Sequence, residues 1–430
     1  MGDIATRIRD YYESAGEPVS VDEVTTRKTS EDRQSPTGST SPIHGWVYAL
    51  GAAAAVLVLL GGAALLFRTT GSDPLSSATW SRVPHDEAVF GGPFEQSMWS
   101  VTAGGPGLVA VGGDGSNAAV WTSADGITWS RVPHNEAVFG GRASKTMWSV
   151  TVGGPGLVAV GDSGPHNDLS AAVWTSLDGI TWSRVPHNEE VFGGGSMSSV
   201  AVGGPGLVAV GFDGDPETAI HNAVVWTSPD GITWSRVPHN EAIFGGETGV
   251  WMSSVTAGGP GLVAVGSDAA VWTSADGITW SRVPHNEAVF GDAGMSSVIA
   301  AGPGLVAVGG DGSDAAVWTS ADGITWSRVP HDEAIFGGEA GAGMSNVTVG
   351  GPGLVAVGGS SFGQDDGRAT AWTSPDGITW SRVPHDEAIF GGRPDVSMSS
   401  VTSGGPGLVA VGESGFEGDF DAAVWVLEED

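Results

Sequence analysis

The chain has 430 residues, with 49 acidic and 17 basic side chains, which gives a formal net charge of −32. This balance argues against a nucleic-acid partner, because phosphate recognition needs clustered Lys and Arg. Cysteine is absent, which excludes a disulfide scaffold, a Cys-ligated zinc site and a thiol nucleophile.

In chain order, the first predicted element is a polar tail over residues 1–45. Apolar side chains at helical spacing predict a short helix over residues 3–14, with Asp3 able to cap it. Residues 15–45 are rich in Ser, Thr, Glu and Pro, a composition typical of a disordered tether.

An uncharged apolar run follows at residues 46–67, WVYALGAAAAVLVLLGGAALLF. As a helix it would be about 33 Å long, enough to cross a bilayer core of about 30 Å. A cleaved signal peptide is the alternative, but the long polar tail does not fit its short basic leader. We predict a single-pass membrane anchor, then a linker at 68–77. The tail would be cytoplasmic and the remainder extracellular or periplasmic.

Residues 78–430 consist of one internal repeat. GPGLVAVG occurs seven times, and so does WSRVPH. A period near 50 residues built from short β-type runs predicts propeller blades. The seven copies of WSRVPH begin at Trp80, Trp129, Trp182, Trp234, Trp280, Trp326 and Trp380.

The first complete repeat predicts four strands, at 98–104, 107–112, 118–123 and 127–132. The repeat region opens with a lone fourth strand, at 78–83, and ends with strands one to three. That strand can therefore complete the last blade and remove the exposed sheet edges. The predicted fold class is all-β, a seven-bladed β-propeller of four-stranded blades at 78–430.

Turn chemistry supports two hairpins in each blade. In the first hairpin we expect Pro106 at the second turn position and Gly107 to supply the positive φ of a type II turn. In the second hairpin we expect Trp121 and Trp129 to lie opposite each other as a cross-strand aromatic pair.

The segment SADGITW at 123–129 resembles the Asp-box of the sialidase-like (BNR-type) repeat propellers, with a loop one residue shorter. In that family the box is a structural turn on the face away from the active site. The resemblance therefore implies a fold and no chemistry. The Asp-box turns are centred on Asp125, Asp178, Asp230, Asp276, Asp322 and Asp376.

Sialidase catalysis, as the resemblance would imply it, needs a Tyr nucleophile and three Arg that clamp a carboxylate. The only tyrosines are Tyr11, Tyr12 and Tyr48, all outside the repeats, so we reject sialidase activity. Seven of the propeller arginines recur once per blade and would be spread around the rim. The irregular ones are Arg142, Arg368 and Arg393.

The linker PH[DN]EA[VI]FG carries a His and, two residues later, a Glu in every blade. His-x-Glu suggests a metal or acid–base site. However, two ligands make a poor site, and the copies stand one blade apart. The residue between them alternates between Asp and Asn, as at Asp86 and Asn135, which suits a helix cap. We interpret the linker as structural.

The loops between the second and third strands vary in length and are acidic, as binding loops on a regular scaffold often are. The candidate binding face comprises the acidic segment FDGDP around position 214, together with Asp365, Asp366, Glu417 and Asp419. A solvated acidic surface is the alternative. No cofactor is predicted, although such loops could take Ca²⁺.

Trp99 and Trp148 stand where other copies carry Ser. Exposed indoles could stack on sugar rings. Strand alternation, however, places Trp99 on the same face as Val101 and Ala103, so we expect it to fill the core between blades.

The sequence favours a membrane-anchored extracellular propeller that binds a glycan, a cell-wall component or a protein without catalysis. One alternative is a glycoside hydrolase or lyase that uses the acidic loop residues. Another is a transmembrane sensor that docks a cytosolic partner through residues 3–14.

Overall fold

The computed structural model describes residues 79–428 apart from 142–143, 165–168, 215–220, 247–248, 338–341, 352, 360–366, 393–394 and 417–418. The predicted tail, the apolar segment at 46–67 and the linker lie outside the described residues and stay predictions. Within the described ranges, no helix has the length and apolarity that crossing a membrane requires.

Short strands follow one another along the described chain. In order they are β1 (Thr79–Arg82), β2 (Gln96–Gly104), β3 (Gly107–Asp114), β4 (Asn117–Ser123), β5 (Trp129–Arg131), β6 (Lys145–Gly153), β7 (Gly156–Ser163), β8 (Ser170–Ser176), β9 (Trp182–Arg184), β10 (Gly195–Gly203), β11 (Gly206–Gly214), β12 (His221–Ser228), β13 (Ser235–Arg236), β14 (Met252–Gly258), β15 (Gly261–Gly266), β16 (Val271–Ser274), β17 (Trp280–Arg282), β18 (Gly294–Ile299), β19 (Leu305–Asp311), β20 (Asp314–Ser320), β21 (Trp326–Arg328), β22 (Gly343–Gly350), β23 (Gly353–Gly359), β24 (Ala369–Ser374), β25 (Ser381–Arg382), β26 (Asp395–Gly404), β27 (Gly407–Phe416) and β28 (Asp419–Glu428).

These strands form seven four-stranded antiparallel sheets, which confirms the predicted propeller. Blade 1 is β2–β5, and the following blades continue in chain order to blade 7, which has the strand order β1-β28-β27-β26. In blade 7, Thr79 pairs with Glu428 and Arg82 with Trp425, so the first strand of the repeat closes the ring as predicted. The first strands of neighbouring blades contact one another in a closed cycle and are the inner strands of the propeller.

A short helical turn stands in most of the linkers between blades, and a 3₁₀ turn, Ser267–Ala269, precedes β16. In the first linker Asp86 accepts a hydrogen bond from the Ala88 N–H at 3.0 Å, which confirms its predicted role as a cap. The Phe of this linker, Phe90, is buried between blades. The helical turns are Glu87–Phe90, Glu189–Phe192, Glu241–Phe244, Glu287–Phe290, Glu333–Phe336 and Glu387–Phe390.

The core lies between blades, which explains why each second strand is apolar on both faces. Leu108 and Ala110 pack against blade 7, whereas Val109 and Val111 face blade 2. Alternate side chains of one strand therefore enter two different cores.

The outer hairpin differs from the expected pairing of Trp121 with Trp129. Trp121 lies opposite Arg131, and Trp129 lies opposite Ser123. The Arg131 guanidinium carbon stands 5.6 Å from the centre of the Trp121 ring, a cation–π contact. The expectation is wrong because the turn holds five residues, 124–128, and this length sets the register.

The inner hairpin is also shifted by one residue from the expected turn. Gly104 pairs with Gly107, so the two-residue loop is Gly105-Pro106. The positive φ of +57° at the first central position lies on Gly105. This is the pattern of a type II′ hairpin turn rather than the type II turn expected from Pro106, and it suits the right-handed twist of adjacent strands.

Each inner strand carries a β-bulge at the residue after its Met. In blade 1 the register with β3 shifts between Met98 and Ser100. Opposite the bulge, a Cβ on Gly112 would stand 1.9 Å from the Ser97 carbonyl oxygen. The same approach, at 1.8–2.0 Å, recurs in every blade. The last glycine of GPGLVAVG is therefore required by the bulge, because no larger residue fits.

The bulge also places a hydrogen-bond acceptor between blades. The Ser100 hydroxyl accepts from the Val150 N–H of blade 2 at 3.2 Å, and Ser400 of blade 7 accepts from Val101 at 3.3 Å. Asn346 takes this role in blade 6. Six of these links satisfy backbone N–H groups on the free edges of the inner strands, and in the seventh the Asn346 side-chain amide donates to the Ser297 hydroxyl. Together they link all seven blades in a ring.

The Asp-box turns join the third and fourth strands on the outer side. Asp125 accepts hydrogen bonds from the N–H groups of Ile127 and Thr128, at 2.9 and 2.6 Å. The backbone donors Thr128 and Ile127 favour the carboxylate and lower the pKa of Asp125 to about 2. The same donors in the next box lower the pKa of Asp178 to about 2. All six boxes repeat this pair of bonds.

We expect Gly112→Ala to lower the free energy of unfolding by about 1–3 kcal/mol, because the new methyl group meets backbone that cannot move aside. The matched control is Gly113→Ala, where the nearest atom to a new Cβ is 3.9 Å away. Denaturant unfolding of both variants measures the difference. Equal stability of the two variants would show that the bulge does not need this glycine.

We expect the free energy of unfolding to fall as the pH decreases from about 4 to about 2. The pKa of Asp125 is about 2 in the folded chain against an ordinary value of 3.8, so its stabilisation is present above pH 4 and is lost on acidification through pH 2. Denaturant unfolding between pH 2 and 5 tests this. Asp125→Asn/Asp178→Asn should flatten the dependence, and the exposed Asp419→Asn should leave it unchanged. A double variant with the wild-type dependence would contradict the assignment.

Candidate functional site

The bulge residues of the seven inner strands form one ring of equivalent positions. Five of them carry Ser, and two neighbouring blades carry Trp instead. A cavity of about 720 Å³ lies among these residues, and we call it the channel-mouth cavity. The bulge residues are Trp99, Trp148, Ser198, Ser253, Ser296, Ser345 and Ser399.

Trp99 and Trp148 line the cavity rather than the core between blades, so the expectation from strand alternation is wrong. The bulge inserts one residue after Met98, and this extra residue turns toward the propeller axis. The two indole rings lie 5.2 Å apart, centre to centre, at an angle of 43°. Both rings remain partly exposed.

Blades 3 and 4 extend the aromatic wall. Trp251, one residue before the Met of β14, lines the cavity and is 42% exposed. Phe212 also lines it and contacts the ring of His221 edge-on, at 4.9 Å between ring centres. The His221 ring lies 6.5 Å from that of Trp251. Aromatic side chains from four consecutive blades therefore line the cavity.

A buried carboxylate orients this wall. Asp162 is 6% exposed and lines the cavity. It accepts a hydrogen bond from Trp148 Nε1 at 2.6 Å and another from the Ser196 hydroxyl at 2.8 Å. These bonds hold the Trp148 indole in one orientation, because its only donor is engaged.

Glu413 occupies in blade 7 the strand position that Asp162 occupies in blade 2. Ser97 of the next blade donates to its carboxylate at 2.5 Å. Burial raises the pKa of Glu413, and the nearby charges of Glu95 and Asp395 act in the same direction. Among the described residues that line the channel-mouth cavity, Asp162 is the one carboxylate, and Glu413 is not part of the lining.

Serine hydroxyls also line the cavity, some of them from blades that carry an aromatic lining residue. Ser253, Ser345 and Ser399 line the cavity from blades 4, 6 and 7, together with Ser198 of blade 3. Within the described part of the chain, none of these four hydroxyls makes a hydrogen bond to another side chain or to the backbone. Each can therefore donate one hydrogen bond and accept others.

Of the acidic loop residues predicted from the sequence, those that the structure describes do not line this cavity. Position 214 is Gly214, and the neighbouring carboxylate, Asp213, forms an ion pair with Arg236. Asp419 begins β28 and is exposed. Asp365, Asp366 and Glu417 lie outside the described residues, as does the predicted helix at 3–14.

The linker His and Glu side chains form an exposed hydrogen-bonded pair in every blade, with Nε2–Oε2 distances of 2.9–3.3 Å. In two linkers a third carboxylate approaches, so that three potential ligand atoms lie within 4.8 Å of one another. Three ligands at an exposed site fall short of a closed structural metal site. These groups are His85, Glu87 and Asp421, and Asp314, His331 and Glu333.

The repeated arginines lie over the Trp of the third strand in every blade, with guanidinium carbons 5.4–5.9 Å from the ring centres. They are therefore held one blade apart, as predicted for the rim. Arg368 is exposed, and Arg142 and Arg393 lie outside the described residues.

Comparison with known proteins adds a general likeness of fold. No protein-family model and no curated protein matches the chain. Among solved structures the chain is similar to YCF48 bound to D1 peptide, with 14% identity over 84% of this chain and 99% of that chain and a TM-score of 0.47. It is also similar to Trypanosoma rangeli sialidase in complex with sialic acid (14% identity, 71% and 56% covered, TM-score 0.38) and to Chaetomium thermophilum Sqt1 (12% identity, 80% and 97% covered, TM-score 0.40). Since the identities are low and the TM-scores are below 0.5, no argument about ligand or activity rests on them.

Proposed function

We propose that this protein is a membrane-anchored propeller that binds a glycan, a cell-wall component or a protein outside the cell without catalysis. The observation that carries the proposal is the pair Trp99 and Trp148 at bulge positions. Five blades of the same chain are built with Ser there, so the fold does not require an indole. The two exceptions are adjacent and face one cavity.

The properties of the cavity support a binding role. Its volume of about 720 Å³ falls within the range of roughly 300–1,000 Å³ typical of small-molecule sites, which are mostly apolar with a few oriented polar groups. Asp162 supplies such a group, already fixed by two hydrogen bonds. Large aromatic side chains left partly exposed in a concave site are typical of recognition surfaces.

Two features of the sequence support the remaining parts of the proposal. The apolar run at 46–67 is long enough for a membrane anchor, which would hold the propeller on the outer side. The repeats contain no Tyr, so the nucleophile of sialidase chemistry has no counterpart there.

We expect ligands of this protein to lose affinity when the indoles are replaced by the residue that other blades use. Trp99→Ser/Trp148→Ser should still fold, because Ser fits five equivalent bulges, with a lower thermal unfolding midpoint because the buried Asp162 loses the hydrogen bond from Trp148. The full chain, in a detergent without a sugar head group, is compared with this variant on arrays of glycans, cell-wall fragments and peptides. Binding that is equal for the two proteins, or absent from all arrays, would overturn the proposal.

A further inference from the structure

We infer that the channel-mouth cavity accepts a neutral saccharide, with one sugar ring against the indoles of Trp99 and Trp148 and its hydroxyls directed to the serines that line the same cavity. This inference rests on the proposed binding function and names the ligand class for that same site. It depends on the presence of both aromatic rings and serine hydroxyls in the cavity wall.

The aromatic lining residues offer apolar area in a fixed orientation. The Trp148 indole is held by Asp162 at 2.6 Å, and Trp99 packs against it at 5.2 Å between ring centres. Trp251 adds a third partly exposed indole from blade 4. Ring faces held in place before binding cost little side-chain entropy when a ligand covers them.

The serine hydroxyls of the lining offer hydrogen bonds that the protein does not use itself. Ser198, Ser253, Ser345 and Ser399 project from four different blades into the same cavity. Within the described residues their hydroxyls have no partner. Each one is both a donor and an acceptor, so the set matches ligand groups that are themselves both, as alcohols are.

A sugar ring also combines an apolar surface with hydroxyl groups. One face of a pyranose presents C–H groups, which pack on an aromatic ring, and its rim presents hydroxyls. A purely apolar ligand would leave the serine hydroxyls without partners in a desolvated site, which is unfavourable. A fully polar ligand would gain nothing from the indoles. A saccharide can contact the indoles and hydrogen-bond to the serines at the same time.

Charge disfavours anionic sugars at this site. The carboxylate of Asp162 lies in the cavity wall and is buried, and the chain carries a net charge of −32. No Lys or Arg is among the described residues that line the cavity, so these residues offer a negatively charged ligand no compensating cation. A cationic ligand is the competing class, because indole faces attract cations.

Isothermal titration calorimetry of the full chain, in a detergent without a sugar head group, tests the inference. The probes are cellobiose, maltose, N,N′-diacetylchitobiose and mannobiose, with 3′-sialyllactose as the anionic control and choline as the cationic one. We expect at least one neutral disaccharide to bind, and both charged probes to bind at least tenfold more weakly. Tryptophan fluorescence should change on binding.

Variants taken from the repeat itself locate the site. Trp99→Ser/Trp148→Ser should weaken disaccharide binding at least tenfold, and Ser345→Ala/Ser399→Ala should weaken it severalfold. The matched control is Ile278→Ser, which removes an exposed apolar side chain at an Asp-box turn and should not change affinity. Thermal unfolding of each variant confirms that it folds.

Three results would overturn the saccharide inference. The first is stronger binding of choline or sialyllactose than of every neutral disaccharide. The second is disaccharide binding that survives Trp99→Ser/Trp148→Ser, and the third is no binding of any neutral disaccharide. If the arrays nevertheless yield a peptide that is lost in the same double variant, the cavity remains a binding site and only its ligand class is wrong.

Discussion

One register shift in each inner strand determines most of what is particular to this propeller. The bulge after Met98 brings the Ser97 carbonyl oxygen against β3, which only a glycine at position 112 accommodates. It presents the Ser100 hydroxyl to the free N–H of the next blade. It also turns the extra residue toward the axis. The interlock between blades and the wall of the cavity therefore have the same cause.

The architecture could be predicted from the sequence because it is determined by local turn residues and by the period of the repeat. The repeat length, the turn residues and the order of elements at the two ends were enough to predict seven blades and their closure by residues 79–82. The cavity did not follow, because plain alternation assigns Trp99 to the wrong face. A signal was present in the sequence. Every GPGLVAVG run ends in a glycine, Gly112 in blade 1, which lies inside the strand β3. A glycine inside a strand pattern marks a bulge or a close backbone approach.

Several of the carboxylates behind the net negative charge are engaged in ion pairs or hydrogen bonds within the propeller. Asp114, Asp213 and Asp311 each pair with the rim arginine of their own blade, and the Asp-box carboxylates are engaged by backbone N–H groups. The sequence predicts a binding face on the variable acidic loops, but which carboxylates are paired depends on strand register, which composition does not reveal. Asp162 was missed for the same reason, since its partners Trp148 and Ser196 come from two inner strands.

The closing strand has a mechanical consequence. The ring is fastened by β1, which pairs with β28 in antiparallel register from Thr79 to Arg82 and buries Trp80 against Phe390. Any tension that reaches the propeller through the chain before residue 79 enters at this strand. Pulled along its axis, β1 must slide past β28, so its ladder bonds and the buried indole resist together rather than one after another. The same pairing that completes the seventh blade is thus the first to bear an external force.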